Sequence, residues 1–216
     1  MTNDELTTLV ADELSFDPKV KSDEIAVAAD DGSVTLRGTV GSFHEKREAS
    51  KAAQRVYGVS SVQNDLDVRL MNDHKRDDAA LRADVLQALM LDSLVPSTID
   101  VNVDNGWVTL TGKAEWNYQR DEAERVAGNV AGVVVVDTDI ELTGEKPDAD
   151  HVKHAIKDAI KRNAKLDAEG ITVETSEHTV TLKGTVASWA EHDDAVAAAW
   201  DAPGVQKVKD HILVAY

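Results

Sequence analysis

The stretch "VTLRGTV", Val34 to Val40, decides the fold, because the chain writes it three times. It returns as "VTLTGKA" at Val108 to Ala114 and as "VTLKGTV" at Val180 to Val186. The anchor glycines Gly38, Gly112 and Gly184 repeat in steps of 74 and 72 residues. A second glycine follows each anchor 20 residues on: Gly58, Gly132 and Gly204. Two glycines at fixed spacing, with matched apolar flanks, mark internal repeats. Within each heptad, Val and Leu alternate with Thr, so Val and Leu face a core, Thr faces out, and Gly38 is expected to end the hairpin strand beside a helix.

One plan surrounds each heptad. A helix opens the unit, about Asp4 to Phe16 in the first copy, with Leu6, Leu9, Val10 and Leu14 at helical spacing. Pro18 argues against its continuation. A strand with alternating apolar residues follows (Ile25, Val27 and Ala29; Ile99, Val101 and Val103; Ile171 and Val173). Asp31-Gly32 and Asn105-Gly106 predict two-residue hairpin turns, which need positive φ. His178 stands where the third turn's glycine belongs, which predicts a longer turn or another type. A second helix fills the gap between the two glycines, and the second glycine suits its C-terminal cap. A third strand, Leu66, Val68 and Leu70 in the first copy, closes the unit. The fold class is α+β: three tandem α-β-β-α-β units, each a three-stranded sheet with two helices packed on one face. The units span 1–70, 77–144 and 148–216, joined by polar segments.

The chain carries a formal charge of −17 and is 42% hydrophobic, so it should bury a core, stay soluble and repel nucleic-acid phosphates. It has no cysteine, which excludes disulfides and thiolate chemistry. The first twenty residues hold no basic n-region and no unbroken apolar run. As written the chain reads as cytoplasmic; it reads as periplasmic if an export signal before Met1 has been removed.

The plan resembles the BON domain, named for bacterial osmotically inducible and nodulation proteins. The resemblance rests on the Asp31-Gly32 and Asn105-Gly106 turns, the "VTLxG" strands and the "GV" pairs at Gly58-Val59, Gly132-Val133 and Gly204-Val205. In that family an Asn often stands six residues after the second glycine; Asn64 matches, while Thr138 and Asp210 replace it. The resemblance implies contact with phospholipid membranes, envelope maintenance under osmotic stress and chaperone-like help to other proteins, without catalysis.

Motif chemistry adds little. No Gly-rich phosphate loop, HExxH or GxSxG occurs, so neither an enzyme nor a cofactor is expected. His151 and His154 lie one helical turn apart, but spacing indicates no third metal ligand. Asp100, Asn102 and Asp104 share one strand face, and Asp137, Asp139 and Glu141 another. If these strands were neighbours their oxygens could hold calcium; otherwise they form a solvated face. No metal site is assigned.

Three places where the copies differ carry the functional expectations. The first helix of unit three places Lys153, His154, Lys157, Lys161, Arg162 and Lys165 on one side and Val152, Ala155, Ile156 on the other. This basic amphipathic pattern fits an anionic lipid surface. The first helix of unit two is apolar nearly all round, with Leu86, Met90 and Leu91 beyond one face, which predicts packing between units or against a partner. Trp107 falls on the polar strand face, where it could rest on an adjacent unit or bind something external. Trp189, Val196 and Trp200 form a stripe expected to pack into a core. The expected function is a non-enzymatic binding protein of the osmotic or envelope stress type that contacts phospholipid surfaces. The alternative is a holdase-type chaperone or protein-interaction scaffold. Neither the partner nor the oligomeric state can be read from the sequence.

Overall fold

The computed structural model describes residues 1–70, 76–144, 152, 154–156, 158–159 and 170–215. In the first repeat, α1 (Asn3–Phe16) leads through a single 3-10 turn to β1 (Ile25–Asp30) and β2 (Ser33–Val40), then α2 (Phe43–Gln54) and β3 (Ser61–Val68). The second repeat runs α3 (Asp78–Leu91), β4 (Asp100–Asp104), β5 (Trp107–Ala114), α4 (Asn117–Gly128) and β6 (Val135–Leu142). The third has helical residues between 152 and 159, then β7 (Ile171–Ser176), β8 (Thr179–Val186), α5 (Trp189–Trp200) and β9 (Lys207–Val214).

Each "VTLxG" heptad is the middle strand of a three-stranded sheet, in the orders β1-β2-β3, β4-β5-β6 and β7-β8-β9. β1 pairs antiparallel with β2, and β3 pairs parallel with β2; β7, β8 and β9 repeat this pattern. A parallel pair needs a crossover, and the second helix supplies it. In the first repeat Val34 and Leu36 are fully buried beneath Leu6, Val10 and Leu14 of α1 and Ala49, Ala52 and Ala53 of α2. Both helices thus cover one sheet face, and the alanines let α2 lie close. The stripe of the third repeat is more peripheral than expected: Trp189, Val196 and Trp200 are partly buried and pack against the core cluster.

Local signals explain the element ends. Thr2 and Glu5 form a reciprocal cap on α1, with Thr2 Oγ1 accepting from Glu5 N at 3.2 Å and Glu5 Oε2 accepting from Thr2 N at 2.8 Å. Ser42 and Ser188 cap α2 and α5 in the same register. Gly38 does not end its strand, as the heptad alone suggested. β2 continues to Val40, and at Gly38, with φ 130°, a Cβ would lie 1.9 Å from the Glu24 carbonyl oxygen. Gly58 is not the helix cap either. Arg55 caps α2, and Gly58 (φ 95°) turns the chain towards β3.

The third hairpin turn keeps its two-residue length, since Ser176 pairs with Thr179. Its type changes: Glu177 has φ 53°, but His178 is not left-handed. A Cβ on the equivalent Gly32 would meet Ser60 Oγ at 2.8 Å. His178 instead holds the following segment through its ring, with Nδ1 2.9 Å from the Gly204 carbonyl oxygen.

By the density of backbone contacts the chain divides into two compact units, 1–112 with 121–140 and 113–120 with 141–216. The first unit holds the first repeat and most of the second; the other holds the third repeat with the ends of β5 and β6 and the start of α4.

Candidate interaction surfaces

α3 departs from its expected surroundings. Leu81, Val85 and Leu89, four residues apart, are buried, and Leu86 is half-buried. Met90 is 84% exposed and Leu91 79%, with Leu94 beyond them 50% exposed. Among the described residues the second side of the helix is therefore left exposed at Met90 and Leu91. The apolar excess lies at its C-terminal end and faces water. That end is fixed in place. The Asp92 main-chain N–H bonds back to Leu89, its carboxylate accepts from Leu94 N at 2.9 Å, and Arg125 of α4 reaches it at 3.8 Å. Arg125 also bonds Glu122, whose carboxyl it holds below its ordinary range.

Trp107 is half-exposed and its indole N–H donates to Asp137 Oδ2 at 2.8 Å, across the sheet of its own repeat. This contact ties β5 to β6 and accounts for its polar edge. The calcium reading fails on topology, because β5 stands between β4 and β6 and keeps the two acidic sets apart. Asp100 instead accepts from the Arg82 guanidinium at 2.8 Å. Among the described residues no group of three or more His, Asp or Glu is placed to hold a metal ion.

In the first helix of the third repeat, Val152 and Ile156 are buried in the core while His154 is exposed. Lys153, Lys157, Lys161, Arg162 and Lys165 lie outside the described residues. Among the described residues no helix is long and apolar enough to cross a membrane.

Two features were not anticipated. His192 of α5 has Nε2 2.7 Å from Asp210 Oδ2 and Nδ1 3.0 Å from Asp193 Oδ1, with its ring edge-on to Trp189. The bond to Asp193 leads the effects that raise its pKa above the ordinary 6.5; the Asp210 charge adds to them, and burial opposes them. The spacing was there to be read: Asp210 follows His192 by the same 18 residues that separate Asn64 from Lys46, whose carbonyl Asn64 Nδ2 bonds at 2.7 Å. The other feature is an open groove of about 520 Å³ in the first unit, lined by Lys19, Lys21 and His44 of the first repeat and Asn129 and Ala131 of the second. Glu45 at its base is buried, and both its carboxylate oxygens accept main-chain N–H groups, from Lys21 and Gly41.

The BON domain model matches this chain at residues 2–69, 77–144 and 148–216, the three repeats in turn. The chain belongs to the BON domain family. A BON relative, osmotically-inducible protein Y of Escherichia coli strain K12, is 34% identical over 145 residues, covering 65% of this chain and 72% of its own length. Solved structures of CdsD, a structural protein of the type III secretion system of Chlamydia trachomatis, match at 15% identity and a TM-score of 0.28, over 98% of this chain and 92% of that one. The C-terminal domain of CdsD matches at 14% identity and the same TM-score, over the whole of both chains. The BON assignment accounts for the glycines and the turns.

Proposed function

We propose that this chain is a non-enzymatic binding protein of the osmotic or envelope stress response, and that it holds apolar segments of other proteins at the exposed end of α3. The name of the relative, osmotically-inducible protein Y, supports the stress setting. The observation that carries the binding surface is the exposure of Met90 and Leu91, neighbours on one helix end and among the most exposed large apolar side chains of the described residues. Unbranched, polarisable Met adapts to varied apolar partners. The strong negative charge keeps such a complex dissolved. The test is suppression of aggregation of a heat-unfolded protein by the full chain. Suppression that is lost in Met90→Ser/Leu91→Ser, with the circular dichroism spectrum unchanged, supports the reading. Suppression that survives the change overturns this surface.

A second reading is contact with phospholipid, through the lysine side of the first helix of the third repeat. Its support is that Val152 and Ile156 are buried and His154 exposed, so the apolar side is already used by the core. Cations near an anionic membrane contribute about 1 kcal/mol each. Co-sedimentation with anionic vesicles that disappears in Lys153→Glu/Lys157→Glu/Lys161→Glu supports it. Absence of binding by the unaltered chain rejects it.

A further inference from the structure

The repeats meet through the same positions twice. In the first unit, the start of α2 packs on the end of α4. A Cβ on Gly128 would lie 2.8 Å from Phe43 Cδ1 and 3.3 Å from Arg47 Nη1, and His44 Nδ1 is 2.9 Å from Asn129 Oδ1. In the other unit, the start of α4 meets the end of α5: the Arg120 guanidinium lies 4.9 Å over the Trp200 ring. The repeat steps make Trp200 the equivalent of Gly128, and Asn117 the equivalent of Phe43. The strand ends agree. Leu70 lines one groove with Gly132 and Val134. Its equivalent Gly144 approaches Gly204, whose Cα would be 3.0 Å from an added Cβ, and accepts a hydrogen bond from Gln206 at 3.3 Å. Gly204 and Gln206 are the equivalents of Gly132 and Val134.

The bulk changes sides between the two junctions. Phe43 faces Gly128 in one, whereas Asn117 stands at the position that would face Trp200 in the other. A junction kept with its large and small residues exchanged is a built surface. It is heterologous: the start of one second helix joins the end of the next. Such a contact does not close on itself after one step, and in the two junctions described the end of α2 and the start of α5 have no counterpart.

We propose that a second copy of this chain completes the series, with the start of α5 of one copy docking on the end of α2 of another. The inference is independent of which ligand α3 holds. Continuity with the two internal junctions carries it, and charge agrees. Asp193, 71% exposed, is the equivalent of Arg47, so it comes to face Gln54, the equivalent of Gly128, with the cation of Arg55 next to it in sequence. Arg55 bonds Asp17 and Glu13 yet keeps 49% of its side chain exposed. Trp189, the equivalent of Phe43, supplies the large residue. Among the described residues Met1 lies nearest to this contact. Its Cε occupies the space where a Cβ on Gly58 would be, but this 62% exposed, unbranched side chain can swing aside.

The experiment is sedimentation velocity on the full chain at low salt, up to about 1 mM. Concentration-dependent association is expected, weakened at least about tenfold by Asp193→Arg and likewise by Gln54→Glu, because each sets like charges face to face. Both positions lie outside the buried core, and circular dichroism checks that the variants fold. The decisive arm mixes the two variants. Arg at 193 of one copy then meets Glu at 54 of the other, and every remaining junction is unchanged, so association returns in the mixture. A chain that stays monomeric throughout overturns the proposal. So does association that neither variant weakens, or that the mixture fails to restore.

Discussion

In the first repeat, Asn64 reaches from β3 to the main chain of α2, a neutral bond at 2.7 Å to the Lys46 carbonyl. In the third, the same two positions are Asp210 and His192, joined side chain to side chain at 2.7 Å. In the second, the position is Thr138, whose hydroxyl is buried with no partner among the described residues. The backbone brings strand and helix together at this point, but it does not dictate the chemistry between them. The first repeat places its ionic bonds elsewhere: Arg55 holds Asp17 at 2.7 Å, and Lys19 and Lys51 hold the buried Glu48 at 2.8 and 3.1 Å. Two repeats of one fold thus depend on groups that titrate in opposite directions.

The comparison fails first if the repeats are not built on one core, and the largest expected effects test that. Leu36 and Leu182 are equivalent and fully buried on the middle strands. Leu36→Ala and Leu182→Ala should each cost about 2–5 kcal/mol. Hydrogen exchange should locate the loss in the first and third repeat respectively. A cost below about 1 kcal/mol at either site would mean that one sheet lacks the tight core assigned to it.

The glycine anchors come next. Gly38→Ala places a Cβ 1.9 Å from a main-chain oxygen at a φ that side chains rarely adopt, so a loss above about 1 kcal/mol is expected. Gly41→Ala, which meets only Glu45 Oε2 at 3.4 Å, should cost much less. Equal melting temperatures for the two variants would reject the close approach as the reason for the anchor.

The titrations sharpen the contrast without unfolding either repeat outright. Arg55, followed by the Lys19 main-chain N–H, holds the Asp17 carboxyl below its ordinary 3.8. Burial would push Glu48 up from 4.5, but Lys19 and Lys51 outweigh it and bring it down. The stability these carboxylates supply is present above their ordinary values and is lost as pH falls through the depressed ones. His192 is raised, so its contribution is complete below about pH 6.5 and is lost as pH rises through its elevated pKa. Acid should therefore loosen the first repeat, and a rise in pH through the elevated His192 pKa the third. An NMR titration of His192 giving a midpoint at or below 6.5 would contradict this. Asp210→Asn should lower that midpoint and flatten the third repeat's dependence on pH.

Much of this organisation was legible. The alternation in "VTLRGTV" and the paired glycines identify the middle strand, the turns and the family, because period and positive φ are local properties. What escaped was set by neighbours. Gly38 looked like the end of a strand because the heptad cannot display the Glu24 carbonyl beside it. The acidic residues of β4 and β6 looked like a cluster because strand order is invisible in a linear pattern. The apolar ring of α3 was legible as an excess, but where that excess meets water depends on the buried stripe of Leu81, Val85 and Leu89. His192 could have been found by carrying the 18-residue spacing of Asn64 and Lys46 into the third copy.

The smallest expected effect on stability falls on α3, where the second repeat departs from the other two. Met90 and Leu91 are nearly as exposed as in an unfolded chain, so Met90→Ser/Leu91→Ser removes almost no burial. Serine also has a lower helix propensity, but the change lies at the end of the helix, where few intrahelical bonds depend on it. The net change should stay within about 0.5 kcal/mol per site. Leu89→Ser, one residue earlier, exchanges a buried aliphatic for a hydroxyl and should cost several times as much. Chemical denaturation of both variants reads the difference directly. Near-equal losses would mean that Met90 and Leu91 are covered in solution, by another copy or by another segment of the chain. Unequal losses leave two large apolar side chains in water that folding does not require.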